Sequence, residues 1–167
     1  MPTLSQQEVE TFFAQPGQLM RIASVRPDGS PLVTPIWFIH EEGAIWFTPR
    51  EKSEWFANLR HDPRVCLDID EQALPYRKVI IEGEAELVWD IGDDDQWRDR
   101  YRRLALRYGP AEMADSYLAD TLDQARGLYC VRLDAATVRT WRMPVEGEPG
   151  DGIWHQRYYR PGTNLSR

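Results

Sequence analysis

Histidine and cysteine are scarce in this chain of 167 residues, three of the one and two of the other, and that scarcity removes several chemistries. His40, His61 and His155 lie far apart with no ligand-like spacing, and Cys66 and Cys130 form no Cys-x-x-Cys pair. A zinc site or a disulfide framework is therefore not expected. Both cysteines sit in alternating apolar runs and read as buried, reduced thiols. Basic residues are also in deficit: 20 Lys and Arg against 27 Asp and Glu leave a net charge of −7, which disfavours non-specific binding to nucleic acid or to an anionic membrane. No apolar run approaches the roughly 18 residues of a membrane span. The opening Met1 to Gln7 lacks the basic start and apolar stretch of a secretory signal, so a cytoplasmic protein is expected.

Familiar site motifs are missing as well. There is no Gly-x-Gly-x-x-Gly, no phosphate loop ending in Gly-Lys-Ser/Thr, no His-Glu-x-x-His and no Gly-x-Ser-x-Gly elbow. Carboxylates are plentiful but scattered, and none stands out as half of an acid–base pair. What is present is aromatic: seven Trp, seven Tyr and five Phe, more than a small core alone needs. At 42% hydrophobic and 28% charged the composition is that of an ordinary globular chain, and the length suits one domain.

Ser5 and Glu8 have capping-box spacing ahead of Val9, Phe12 and Phe13, which share one side of a short helix closed by Gly17. Residues 19–26 and 32–40 flank Pro27-Asp28-Gly29-Ser30, a hairpin signal, and 44–47 returns after Glu41-Glu42-Gly43. Thr48-Pro49-Arg50-Glu51 reads as an N-cap, a first-turn proline and a closing acid, which predicts a helix over 50–60 that carries Trp55, Phe56 and Leu59. Residues 64–70 alternate as a strand. A longer strand is predicted over 77–89, with Val79, Ile81, Ala85, Leu87 and Trp89 on one face.

Asp93-Asp94-Asp95 opens an Arg-rich helix whose bases suit its C-terminal half and read as a solvated face. It ends near Gly109-Pro110, and another helix runs from Ala111 to Arg126. Strands over 128–134, 137–143 and 153–159 follow, the last after a Glu/Gly/Pro loop at 146–152. The expectation is a mainly β, α+β single domain of six or more antiparallel strands with inserted helices, closed into a small barrel to remove sheet edges.

One local group of polar residues stands out. Thr48, Arg50, Lys52 and Ser53 surround the entry of the helix predicted over 50–60, where free backbone N–H groups and positive potential suit a phosphate. Charged helix starts are common, so this group gains weight only in combination. The run Val33-Thr34-Pro35-Ile36-Trp37-Phe38, then Trp46-Phe47-Thr48, the basic turn and Asn58-Leu59-Arg60-His61-Asp62-Pro63-Arg64-Val65 is similar to the pyridoxamine 5′-phosphate oxidase-like family of flavin-binding split barrels. Tyr76-Arg77-Lys78-Val79-Ile80-Ile81-Glu82-Gly83 and Val131-Arg132-Leu133 to Thr140-Trp141 continue the resemblance, which covers most of residues 18–142.

That resemblance implies a six-stranded antiparallel split barrel forming a homodimer, with two FMN sites at the subunit interface. Val33, Thr34, Pro35, Ile36 and Trp37 would run along the isoalloxazine ring and give it backbone hydrogen bonds. Thr48, Lys52 and Ser53 would hold the FMN phosphate, with Arg50 assisting. Arg77 and Lys78 would reach the flavin from the other subunit and stabilise its reduced anion, an ion pair being the rival reading for both. Trp141 and Arg157 match positions near the flavin in longer members, and Trp37, Trp141 and Trp154 would form a stacking wall. Core packing is the rival role for Trp37.

The departures narrow the function. Ser53 is followed by Glu54 and Trp55 where relatives often carry Ser-Arg-Lys. Phe38 and Ile153 stand where the vitamin-processing oxidase has basic residues for its substrate's phosphate, which argues against pyridoxamine 5′-phosphate as substrate. The expected activity is an FMN-dependent oxidoreductase moving a hydride between flavin N5 and a small or planar organic molecule, the cofactor carrying the chemistry. One alternative swaps the cofactor for the deazaflavin coenzyme F-420, whose acidic tail would need a basic groove such as Arg50, Lys52, Arg60 and Arg64. Another is a non-catalytic flavin or haem carrier.

Overall fold

The computed structural model describes residues 2–148 and 159–164. The capping box forms as read: Ser5 Oγ accepts the Glu8 N–H, and the Glu8 carboxylate accepts the Ser5 N–H at the start of α1 (Gln6–Ala14). Phe12 and Phe13 leave that helix fully buried, each contributing about 1.5–3 kcal/mol by removal from water.

β1 (Met20–Val25) and β2 (Pro31–Ile36) pair around Asp28-Gly29, where Gly29 takes a positive φ of 83° and Asp28 accepts the Ser30 N–H. The strand predicted over 32–40 breaks at Trp37-Phe38. β3 (Ile39–Glu41) leaves for a second sheet and pairs with β4 (Ala44–Phe47). The break is held by the Phe38 N–H, which donates to the Tyr108 hydroxyl instead of to a strand neighbour.

The helix expected over 50–60 begins later, as α2 (Glu54–His61), and its N-cap is Ser53 rather than Thr48. The reason is a long-range pairing. Residues 49–51 run extended against 125–127: Glu51 N–H donates to the Ala125 carbonyl, Gly127 N–H to the Pro49 carbonyl, and Arg50 and Arg126 bridge. A segment whose backbone groups are spent this way cannot also start a helix.

β5 (Arg64–Asp70) follows as predicted. The strand predicted over 77–89 is two strands, β6 (Lys78–Glu84) and β7 (Glu86–Trp89), which belong to different sheets. Ala85 between them donates its N–H to the Pro63 carbonyl, and there the chain changes sheet. Trp89 is consequently not a core residue: it ends an edge strand just past a register shift and is 38% exposed.

A short 3-10 turn (Asp94–Gln96) precedes α3 (Arg98–Leu106), and α4 (Ala111–Asp120) stops six residues short of Arg126. β8 (Leu128–Arg132) and β9 (Thr137–Trp141) complete the described elements.

The fold is mixed α+β, with nine strands among the described residues rather than six. They form two antiparallel sheets ordered β2-β1-β5-β6-β9 and β3-β4-β8-β7. Alternation divides the core. Ile45, Phe47, Tyr129 and Val131 face the space between the sheets with Ile22, Leu67 and Ile81. Ala44, Trp46, Leu128 and Cys130 face outward and are buried under α3 and α4 by Tyr101, Leu104 and Leu118. β4 is therefore buried on both faces, and this is why its sequence is unbroken Ala-Ile-Trp-Phe.

The arginine row of α3 is only partly a solvated face. Arg100 is held by Glu41 and Glu42 and lies 3.8 Å above the Trp46 ring, Arg103 binds Glu41, and Arg102 binds Asp115. Neither cysteine is in a disulfide, and Cys130 is buried and Cys66 half-buried. Among the described residues no His, Cys, Asp and Glu group could hold a metal, and no helix is long and apolar enough to cross a membrane.

Candidate functional site

Where β2 leaves the first sheet, the helical pair α3–α4 stands over it and a cleft of about 440 Å³ opens between them, a volume within the range of small-molecule sites. Thr34, Pro35, Ile36 and Trp37 form one wall, Thr48, Arg50 and Ser53 another, and Tyr101, Tyr117 and Arg126 the side furnished by the helical region. The structure thus brings together seven of the thirteen residues singled out from sequence. β2 is an edge strand, paired with β1 alone, so backbone groups along its free edge are open to a ligand.

Of the other six, five lie elsewhere. Val33 is on β2 but 58% exposed and outside the lining. Lys52 lines an adjoining cleft with Glu51, Asp123, Gln124 and Ala125, which touches the first through Arg50. Lys78 and Trp141 face each other across β6 and β9, at the opposite edge of the sheet from β2. Arg77 is engaged in a two-pronged ion pair with Glu71, with its guanidinium 4.9 Å from the Phe12 ring centre. Arg157 lies outside the described residues, as do Trp154, His155 and all of the last strand predicted over 153–159 except Tyr159.

Ser53 and Trp37 already have intramolecular partners. The Ser53 hydroxyl donates to the Arg50 carbonyl at 2.7 Å and accepts the Phe56 N–H that begins α2. Trp37 is covered on one face by Tyr108, with ring centres 4.7 Å apart and planes 4° from parallel.

Sequence reasoning missed Arg126 and Tyr117. Arg126 was absorbed into a predicted helix, yet it lies in the extended segment before β8 and is only 4% exposed. Its guanidinium lies 4.9 Å from the Tyr101 ring centre, one amino group donates to the Tyr117 hydroxyl at 3.4 Å, and its Nε–H has no partner among the described residues. Arg50 donates to the same hydroxyl at 3.2 Å. Burial works against ionisation of Tyr117, but the hydrogen bond from Arg50 and the charge of Arg126 outweigh it and hold the phenol below its ordinary pKa. Burial pushes Tyr101 the other way.

Among the described residues no carboxylate lines this cleft. Burying a guanidinium without a counter-charge is costly, so a protein of net charge −7 has kept an unneutralised positive pocket. This donor set fits an anionic, flat cofactor: two guanidiniums, five hydroxyls and an aromatic wall beside a strand with a free edge.

A family model described as pyridoxamine 5′-phosphate oxidase matches residues 5–142, and the chain belongs to this family of split barrels. Among solved structures, an F-420 reductase aligns at 28% identity with a TM-score of 0.55, over 77% of this chain and 94% of that one. A conserved hypothetical protein of Mycobacterium tuberculosis aligns at 23% identity and TM-score 0.63, over 90% and 95%. An FAD- and haem-binding protein of Mycobacterium smegmatis aligns at 17% and 0.63, over 89% and 76%. No curated protein matches the sequence.

Proposed function

We propose that this protein is a flavin-dependent oxidoreductase that binds FMN in the cleft between β2 and the α3–α4 helices. The observation that carries the reading is the meeting, in a cleft without carboxylates, of the β2 edge (Thr34 to Trp37) with Thr48, Arg50 and Ser53. In this reading the β2 backbone edge orients the ring, Trp37 backs it, and Thr48 and Arg50 hold the phosphate end. The flavin, when bound, supplies hydride transfer at N5. The chain supplies position, charge and a partly dry wall, which accounts for a site with no acid–base pair.

The protein acts as a homodimer in this reading, with Lys78 and Trp141 of one subunit brought to the cleft of the other. The substrate is a small or planar organic molecule other than pyridoxamine 5′-phosphate. The likeness to an F-420 reductase at 28% identity favours a second reading, in which the cofactor is the deazaflavin.

The test is the absorption spectrum of the freshly purified protein, followed by titration of stripped protein with FMN. A flavin spectrum or saturable FMN binding is expected, with bleaching on addition of NADH or NADPH under nitrogen. Protein that takes up no flavin of any kind overturns the proposal. Sedimentation equilibrium with and without FMN tests the dimer.

A further inference from the structure

Arg126 is the buried cation for which packing alone gives no account. It is 4% exposed and, among the described residues, its Nε–H is unpartnered and its one side-chain hydrogen bond goes to a hydroxyl that Arg50 also claims. A residue placed only to fill space beside Tyr101 could be apolar. A guanidinium there costs several kcal/mol of desolvation unless an anion arrives.

We infer that Arg126, Arg50 and the Tyr117 hydroxyl form a seat for a terminal phosphate monoester, and that this seat selects a cofactor ending in phosphate over one continuing as an acidic tail. The inference rests on the flavin reading of the cleft and adds the residues that choose among flavins. A phosphate monoester carries close to two negative charges at neutral pH, its second pKa being about 6, and so matches two guanidiniums. A diester keeps one charge and has fewer free oxygens. The Tyr117 oxygen accepts from both arginines, which leaves its proton to donate to a third phosphate oxygen.

The surroundings point the same way. Behind Arg126 the remaining space is about 10 Å³, lined by Asp94, Trp97, Thr121 and Gln124, enough for one water and no tail, and an anionic tail would meet the Asp94 carboxylate there. The adjoining cleft sets Arg50 and Lys52 against Glu51 and Asp123, so an acidic tail leaving that way meets as much negative as positive charge. Arg60 and Arg64 do not supply a groove, because Asp90 and Asp62 hold them.

The experiment compares FMN, riboflavin and F-420 binding to wild-type protein and to Arg126→Lys and Tyr117→Phe, by fluorescence titration. A parallel arm records the melting temperature in sodium phosphate against sodium chloride of equal ionic strength. Wild-type protein is expected to bind FMN at least about tenfold more tightly than riboflavin or F-420, since a charge-assisted, two-pronged contact is lost with either.

Arg126→Lys is expected to lose about tenfold or more for FMN and nothing beyond about twofold for riboflavin, with Tyr117→Phe following in smaller measure. Phosphate is expected to raise the wild-type melting temperature more than chloride does, and that margin is expected to vanish in Arg126→Lys.

Equal losses for FMN and riboflavin, or tighter binding of F-420 than of FMN, overturn the seat while leaving flavin binding in place. Phosphate stabilisation in a protein that binds no flavin upholds the seat and overturns the flavin reading. If the Arg126 variant does not fold, the wild-type phosphate arm and Tyr117→Phe decide: no phosphate effect and no FMN-selective loss in Tyr117→Phe overturn the proposal.

Discussion

Tyr108 lies flat against Trp37, and its hydroxyl accepts the Phe38 N–H at 2.9 Å while donating to the Gln18 carbonyl at 2.7 Å. One side chain from the end of the helical region thus fixes the point where the chain passes from one sheet to the other and backs the wall of the cleft. Tyr108→Phe keeps the stacked ring but leaves the buried Phe38 N–H without its partner, so a loss of about 1–3 kcal/mol is expected. Chemical denaturation with an unchanged slope measures it. FMN affinity is expected to fall as well, because Trp37 and Ile36 lose their anchor.

Gly127 is required by space. A Cβ there would stand 3.0 Å from the Phe56 ring, 3.2 Å from the Tyr129 ring and 3.3 Å from Leu87. The two rings already meet edge-on at 6.1 Å, so neither has room to yield. Gly127→Ala is expected to cost about 1–3 kcal/mol as an overpacked core, read as a lower denaturation midpoint. A change under a few tenths of a kcal/mol would mean that the rings reorganise freely.

Arg77 presents a choice between two roles. Resemblance assigns it to a neighbouring subunit's flavin, whereas its guanidinium makes two contacts to Glu71 and covers Phe12. The Arg77 hydrogen bond is the main cause holding Glu71 below the usual carboxylate range. The expectation is that Arg77→Gln lowers the melting temperature and leaves FMN affinity within about twofold, as fits a half-buried ion pair. A selective loss of flavin binding at unchanged melting temperature would assign Arg77 to the cofactor instead.

Local chemistry was legible and long-range pairing was not. The Ser5–Glu8 box and the Asp28-Gly29 hairpin are set by residues two or three apart, and both form as their spacing indicates. Thr48-Pro49-Arg50-Glu51 has equally good helix-start spacing, yet pairing with 125–127 pulls it straight and passes the cap to Ser53. Residues 77–89 alternate without interruption, and nothing in that pattern marks Ala85 as the place where the chain changes sheet. The site divides along the same line. Thr34 to Trp37, Thr48, Arg50 and Ser53 lie close together in sequence and were found together. Tyr117 and Arg126 come from far along the chain, with Arg126 at the end of an apparent helical run. An arginine two residues before the apolar Leu128-Tyr129-Cys130-Val131 strand was the one available signal for it.

Glu41 ties the helical pair to the barrel and should make that attachment sensitive to acid. It accepts two bonds from Arg103 at 2.6 and 2.8 Å and one from Arg100 at 3.0 Å. The Arg103 bond is the main cause that holds its pKa below the ordinary value, against burial and with the help of Arg100. For a carboxylate depressed in the folded state, the stabilisation is complete above its unfolded pKa and is lost as pH falls through the folded one. The docking of α3 should therefore weaken below about pH 4 and be insensitive to pH between about 6 and 8. Arg102 and Asp115 hold α3 to α4, so the two helices are expected to loosen together. Hydrogen exchange of 98–106 at pH 7 and at pH 3.5 in wild type and Glu41→Gln reads this directly. The variant is expected to show reduced protection at pH 7 and little further loss in acid, whereas wild type loses protection only in acid. Equal acid losses in both proteins would move the titrating contact away from Glu41.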